Sequence, residues 1–520
     1  MSLVRNTFTI GGLTLVSRIA GFLRDMLMAQ FVGAGFANDA FLIAWRLPNL
    51  FRALFAEGAF ASAFIPMFNR EAARPGGGLP AALVFAEQAL AVLFPVLVAF
   101  TVVMMVAAAP IVWAMTGGFP DGGPDKFALA VNLTRITFPY LALISLVSLL
   151  GGILNSVDRF WVNAAAPILL NVCMIIGLLF FRGPDPIATT YTQAISVTVS
   201  GIVQLLWLMW ACARAGVSLR LRPPKLNPRV RELLRIIWPA ALGAGAVQFN
   251  LLISTSLAAR FLPQGAVSYL YYADRLNQLP LGLIGIGVGT AMLPGLSRQI
   301  AGGDNKGAIR TQNRAIELVL ILTLPATAAL MVAASPIIRA LLQHGVFLPG
   351  DTVATAQALA AFSLGLPAYI LIKVLVPGFY ARTDTRTPVR IALIAMLANL
   401  ILNLILIWPL RHVGLALSTA LAAWLNAGML YWTLHRRKHF TTDARLRGNS
   451  VRLLLATAAM AAMLLVVSPI VDAHMGRGLP ERVLWLGGLV AAGGVVYFAA
   501  AILLRAIRPG ELAGQFLRQR

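Results

Sequence analysis

Arg18, Arg24, Arg46, Arg52 and Arg275 all fall inside long apolar stretches of the chain. An arginine near mid-bilayer costs roughly 2.5–3.5 kcal/mol even on lenient insertion scales, so several of them imply a polar cavity and an anion to occupy it. By helical rise, Arg24 and Arg275 lie roughly 12 Å from the outer ends of their stretches. Arg46 is at a similar level, and Arg18 and Arg52 sit nearer the midplane. Cations in two layers suit a diphosphate better than a point anion, because each guanidinium fork binds phosphate oxygens bidentately. In helical projection Asp39, Arg46 and Glu57 share one face of the second stretch, with Asn49 between Arg46 and Arg52. On the first stretch Arg18 and Asp25 share a face and Arg24 is offset. These acids can hold the arginines when no anion is bound. The competing expectation is plain ion pairing: Arg24 or Arg18 with Asp25, Arg46 with Asp39 or Glu57, and Arg275 with Asp274. Lys373, in the middle of a later stretch, is a secondary candidate, ahead of Arg135 and Arg339.

The elements that position these residues follow from composition. The 520 residues are 59% hydrophobic and 12% charged, with mean hydropathy +0.80, which excludes an ordinary soluble domain. Apolar runs of spanning length number about fourteen. The expected fold is therefore an all-α polytopic membrane protein: two six-helix lobes in a pseudo-twofold arrangement plus two C-terminal helices. The net charge of +23, from 42 Lys+Arg against 19 Asp+Glu, reflects topology here, with no nucleic-acid partner expected. Most of that charge lies in connections on one side, notably 214–235, 298–314, 382–390 and 436–452. The positive-inside rule makes that side cytoplasmic, together with both termini. No cleavable signal is evident, since the first apolar stretch runs on into Arg24 and Asp25.

The connection from Arg214 to Arg231 carries Pro223, Pro224 and Pro228 and reads as a linker. It divides the chain into 1–215, a basic linker 216–230, a second lobe 231–438, and 439–520 with the last two helices and a tail. Arg46-Leu47 followed by Pro66, and Arg275-Leu276 followed by Pro294, form a weak internal echo; duplicated halves around a central site are a common transporter plan.

Other features carry less. Gly282, Gly285, Gly287 and Gly289 follow no strand and precede no Gly-Lys-Ser/Thr, so they read as helix packing. His344, His412, His435, His439 and His474 form no metal-spaced pair. Asp384, beside Arg382 and Arg386, is a weak cation candidate and a better loop cap. Cys173 and Cys212 read as small buried hydrophobes. No nucleotide motif is present and no cofactor is expected. An enzyme acting on polyprenyl phosphates would need an acidic metal cluster or a nucleophilic His, so transport is the expected chemistry.

The runs Ser17–Asp25, Asn38–Phe41, Arg46–Leu50 and Phe55–Phe60 resemble the amino-terminal signature of the MurJ (MviN) family. Tyr271–Leu276, Pro377–Tyr380 and Asp384–Pro388 match further patterns of that family. The resemblance spans the chain and implies a lipid II flippase of the multidrug/oligosaccharidyl-lipid/polysaccharide exporter superfamily in the bacterial inner membrane. It would move undecaprenyl-diphosphate-MurNAc-pentapeptide-GlcNAc to the periplasmic leaflet by alternating access. By the same resemblance, Arg18, Arg24, Arg52 and Arg275, with Asn49, bind the headgroup, and Asp25, Asp39 and Glu57 serve as gate and cavity acids. Arg46 is expected as their ion-pair partner, with Asp274 secondary. The implied partners are lipid II, membrane lipids and cell-wall synthesis proteins. The alternative is another exporter of the superfamily, a different oligosaccharide-lipid flippase or a drug/cation antiporter.

Overall fold

In the computed structural model, the described residues are 3–52, 60–476 and 478–507. Contacts divide the chain into two compact units, Met1–Ser268 with Gly345–Phe347, and Tyr269–His344 with Leu348–Arg520. The elements are α1 (Leu3–Phe31), α2 (Phe36–Phe51), α3 (Phe60–Ala72), α4 (Gly78–Val106), α5 (Ala108–Thr116), α6 (Gly123–Thr137), α7 (Pro139–Ser156), α8 (Phe160–Phe180), α9 (Pro186–Arg214) and α10 (Pro228–Phe261). The chain continues with α11 (Ala266–Ala301), α12 (Asn305–Val332), α13 (Ala334–Leu341), α14 (Pro349–Ser363), α15 (Leu366–Tyr380), α16 (Arg386–Arg436), α17 (Ala444–His474) and α18 (Leu479–Leu503). Each apolar stretch expected from the sequence has a helical counterpart, several of them broken into two pieces.

The breaks have local causes. Pro139 removes an amide donor where α6 gives way to α7, and Gly117 ends α5 at φ 62°, the left-handed cap that glycine adopts freely. α16 holds two stretches joined at Arg411, whose φ of 51° and ψ of −129° interrupt the helix. Helix starts are marked by side-chain caps. Asp185, Asn227, Asp304 and Asp443 accept from the amides of Ala188, Val230, Gly307 and Leu446 at 2.7–2.8 Å.

Among the described residues, nine helical segments are long and apolar enough to cross a membrane. Their outward faces carry bare apolar side chains such as Val106, Phe180, Leu484 and Leu503, while Gln193, Ser200, Gln204, Asn399 and Asn403 are buried between helices. Apolar outside and polar at helix contacts is the pattern a lipid solvent selects.

In the first unit α1 packs on α8, α2 on α6 and α9, and α3 on α4 and α7, with α10 against α3 and α5. In the second, α12 packs on α15 and α17, α14 and α15 on α16, and α17 on α18. The last two helices are pinned at both ends. Buried Glu317 on α12 receives Arg314, Arg445 and Asn449, and at the other end Asp472 pairs with Arg339 at 3.1 Å. Arg482 meanwhile donates to the carbonyls of Gln343 and Gly476.

Candidate functional site

Arg24 is the most enclosed arginine of the first unit, 7% exposed on α1 beside Asp25 at 2%. Its Nε and Nη2 donate to Asp25 Oδ1 at 3.0 and 2.7 Å, and Nη1 donates to Asn171 Oδ1 on α8 at 3.0 Å. Met174 Sδ lies 3.7 Å from the same Nη1. Consecutive helical residues point about 100° apart, yet the long guanidinium stem wraps back to its neighbour. Asn171 also donates to the Ser17 carbonyl at 3.1 Å, so one amide ties α8 to both the guanidinium and the backbone beside Arg18. Arg18 itself is exposed, near the middle of α1, and has no hydrogen-bonded or ionic partner among the described residues.

At the C-terminal cap of α2, Arg52 donates through Nε and Nη2 to Asn49 Oδ1 at 3.1 and 3.0 Å, about one turn back along the helix. The expected pairing of Arg46 with Asp39 does not form. Asp39 sits at the start of α2, seven residues and about 10 Å along the axis from Arg46. It accepts from Lys126 Nζ at 3.1 Å, the Gly265 and Ser268 amides at 2.8 and 3.0 Å, and Ser268 Oγ at 2.6 Å. Those donors fill its acceptor positions. Arg46 instead donates to the Leu251 carbonyl at 3.0 Å and to Thr255 Oγ1 at 2.7 Å, both on α10. Glu57 lies outside the described residues.

Lys126 was not anticipated from sequence. Its ammonium, on a side chain 1% exposed, lies 3.1 Å from Asp39 and 2.5 Å from Asp121, and 4.8 Å from the centre of the Phe119 ring. Gly122 makes room for its stem, since a Cβ there would stand 2.5 Å from Lys126 Cδ. The available signal was a buried-length lysine flanked by Asp121 and Asp125 in a glycine-rich turn.

In the second unit Arg275 and Asp274 are half-buried on α11, and Asp274 accepts from Gln278 at 2.6 Å. Lys373 is exposed on α15. Asp384, in the loop before α16, accepts the Thr387 amide at 3.0 Å and pairs with Arg437 at 2.6 Å. Its carboxyl is pulled down to about 2, chiefly by the Thr387 hydrogen bonds and then by Arg437. That is a loop cap and ion pair, not a cation cradle. No group of three or more His, Cys, Asp or Glu that could hold a metal occurs among the described residues.

The sequence matches the family model described as "Lipid II flippase MurJ" over residues 28–480. A "Probable lipid II flippase MurJ" of Rhizobium tropici is 42% identical over 525 residues, covering 100% of this chain and 98% of that protein. The chain belongs to the MurJ family. A "Lipid II flippase MurJ" of Burkholderia cenocepacia is 36% identical over 441 residues, with 84% of each chain covered. The fold agrees: a solved structure titled "Lipid II flippase MurJ, inward closed conformation" superposes with TM-score 0.79 at 25% identity, covering 95% of this chain and 98% of that one. An inward-facing MATE transporter of the MOP superfamily shares the fold at TM-score 0.65 and 14% identity. The family match begins at residue 28, beyond Arg18 and Arg24, but the Rhizobium tropici relative spans the whole chain and so includes α1.

Proposed function

We propose that this multi-pass membrane protein of the MurJ family is a lipid II flippase, a transporter and not a catalyst. It moves undecaprenyl-diphosphate-MurNAc-pentapeptide-GlcNAc from the cytoplasmic to the periplasmic leaflet of the bacterial inner membrane by alternating access. The observation that carries the site is Arg18, a cation midway along α1 with no partner among the described residues, one residue from a carbonyl held by Asn171. A bare guanidinium at that depth is costly unless an anion or water meets it. Arg24 is already aimed by Asp25 and Asn171, and Arg52 by Asn49. With Arg275 on α11 these residues bind the diphosphate and sugars; Asp25, Asp39 and Glu57 serve the gate. Arg46 acts as a structural tie to α10, with Asp274 and Lys373 in secondary roles. Both termini are cytoplasmic. The lobes are 1–215 and 231–438, a division by internal repeat, with 439–520 added to the second.

The test is complementation in cells depleted of their own flippase, reading lipid II exposed on the periplasmic face. Arg18→Ala, Arg24→Ala, Arg52→Ala and Arg275→Ala are expected to insert normally yet leave periplasmic lipid II low. Normal flipping by all four variants would overturn the assignment of the site.

A further inference from the structure

Between α9 and α10 the chain runs from Val217 to Asn227 without regular structure, yet it is firmly held. Glu87 on α4, 5% exposed, accepts the Arg220 amide at 2.9 Å and Arg222 Nε at 2.5 Å. Asn227 donates to Gln88 at 2.6 Å, and Glu71 on α3, 1% exposed, pairs with Arg229 at 3.0 Å and Arg74 at 2.9 Å. Pro223 and Pro224 fix φ in the middle of the segment, so little freedom remains for it to lose on binding.

With its backbone pinned inward, the strap turns an unusual pair of side chains outward. Leu221 is 74% and Leu226 60% exposed, and they alternate with exposed Arg220, Lys225 and Arg231. Its height is set by α4 and α5, where bare apolar residues run from Phe94 to Trp113. By helical rise that band measures roughly 30 Å, the thickness of a bilayer's hydrocarbon core. Glu87 lies two turns, about 10 Å, before Phe94. The strap is therefore at headgroup level.

We propose that the strap is an interfacial anchor for an acidic phospholipid leaflet. Leu221 and Leu226 enter the headgroup–acyl boundary, and Arg220, Lys225 and Arg231 meet the lipid phosphates. The two buried glutamates pair with Arg222, Arg229 and Arg74, so Arg220, Lys225 and Arg231 are left to the leaflet. A basic residue at an acidic surface is worth about 1 kcal/mol, roughly fivefold in the ratio of seated to solvent-exposed strap. The inference rests on the membrane-spanning fold and is independent of which lipid the protein transports.

The full-length protein, with Cys173 and Cys212 replaced by Ala, carries one new cysteine, Leu221→Cys or in a second variant Leu226→Cys, labelled with an environment-sensitive fluorophore. It is reconstituted in vesicles of phosphatidylcholine with or without phosphatidylglycerol, and Gly350→Cys serves as the water-exposed control. The expected result is quenching by acyl-chain spin-labelled lipid and protection from aqueous iodide, both stronger with phosphatidylglycerol. Lys225→Glu with Arg231→Glu should remove the phosphatidylglycerol dependence. Probes at both leucines as open to iodide as the Gly350→Cys control would overturn the proposal. So would binding of inorganic phosphate without acyl-chain quenching, the mark of a plain anion site. Quenching that is equal in the two vesicle types would remove the acidic-lipid specificity and refute the stated role of the basic residues.

Discussion

Replacing Lys126 by Met keeps the length of the side chain and deletes its charge. In the intact protein one ammonium serves two carboxylates, Asp121 at 2.5 Å and Asp39 at 3.1 Å, with the lysine and Asp39 side chains 1% and 2% exposed. Removing one partner of a buried pair costs about 3–5 kcal/mol, because the other charge stays buried and uncompensated. Asp39 keeps three donors, from Gly265 and Ser268, which places the expected loss near the lower end, about 3 kcal/mol. Asp121 fares worse, since its Oδ1 is buried with no partner among the described residues. At about 2.1 cal/mol/K per residue, that loss lowers Tm by about 3 °C if the whole chain unfolds together and about 5 °C if the first unit melts alone. The assay is thermal unfolding of purified protein, reported by a thiol-reactive dye on Cys212, which is buried in the fold. Asp121→Asn in the Lys126→Met background must recover part of the lost stability, because it removes the stranded charge. A Lys126→Met protein melting within 1 °C of the parent (about 1 kcal/mol), or a double variant less stable than the single one, would refute the account.

Gly122→Ala should destabilise the same cluster, because the new methyl would stand 2.5 Å from Lys126 Cδ and 2.8 Å from its Cβ; a lowered Tm is the expected readout, and an unchanged one would contradict it. Gly345→Ala should cost more than about 2 kcal/mol, since φ is +59° there and a Cβ would press on the Gln30 carbonyl that accepts the Val346 amide at 3.1 Å; an unchanged melting curve would contradict it. Asn171→Leu removes a hydrogen bond to a buried guanidinium, a loss of about 1.5–3 kcal/mol, and should lower flipping in the complementation assay while insertion is retained. Asp384 titrates in the fold at about 2, below its ordinary 3.8, so its stabilising contribution is complete above about pH 4 and is lost as pH falls through 2. Asp384→Asn should flatten that limb of the stability–pH curve and cost about 1 kcal/mol at neutral pH, the scale of a helix cap on an exposed loop.

What the sequence made legible was set by local periodicity. Apolar stretches of spanning length mark the helices, because lipid forces every backbone amide into an internal hydrogen bond. Their interruptions were harder to place: Pro139 breaks a stretch into α6 and α7, whereas Pro167 and Pro325 sit within unbroken helices. Neighbouring helices can resatisfy the freed carbonyls, so proline alone does not decide. The Arg24–Asp25 pair was readable as one of two options from adjacency in the chain.

Lys126 and Asp39 show where such reading stops. They are 87 residues apart, on different helices, and no period on either helix points to the other. Helical projection offers Arg46 both Asp39 and Glu57 because it weighs only residues on one element, and for Asp39 it has no means of counting donors arriving from elsewhere. A carboxylate has about four lone-pair sites, and Lys126, the amides of Gly265 and Ser268, and the Ser268 hydroxyl occupy that number. With those sites filled Arg46 turns to other acceptors, among them a carbonyl and a hydroxyl on α10. Arg46→Gln retains a donor for Leu251 and Thr255 and leaves the Asp39 cluster intact, so it should be tolerated better than Asp39→Ala, which strands the Lys126 ammonium beside Asp121. A loss of stability at Arg46→Gln equal to that of Asp39→Ala would show that the guanidinium charge, and not its hydrogen bonds, is what the first unit requires.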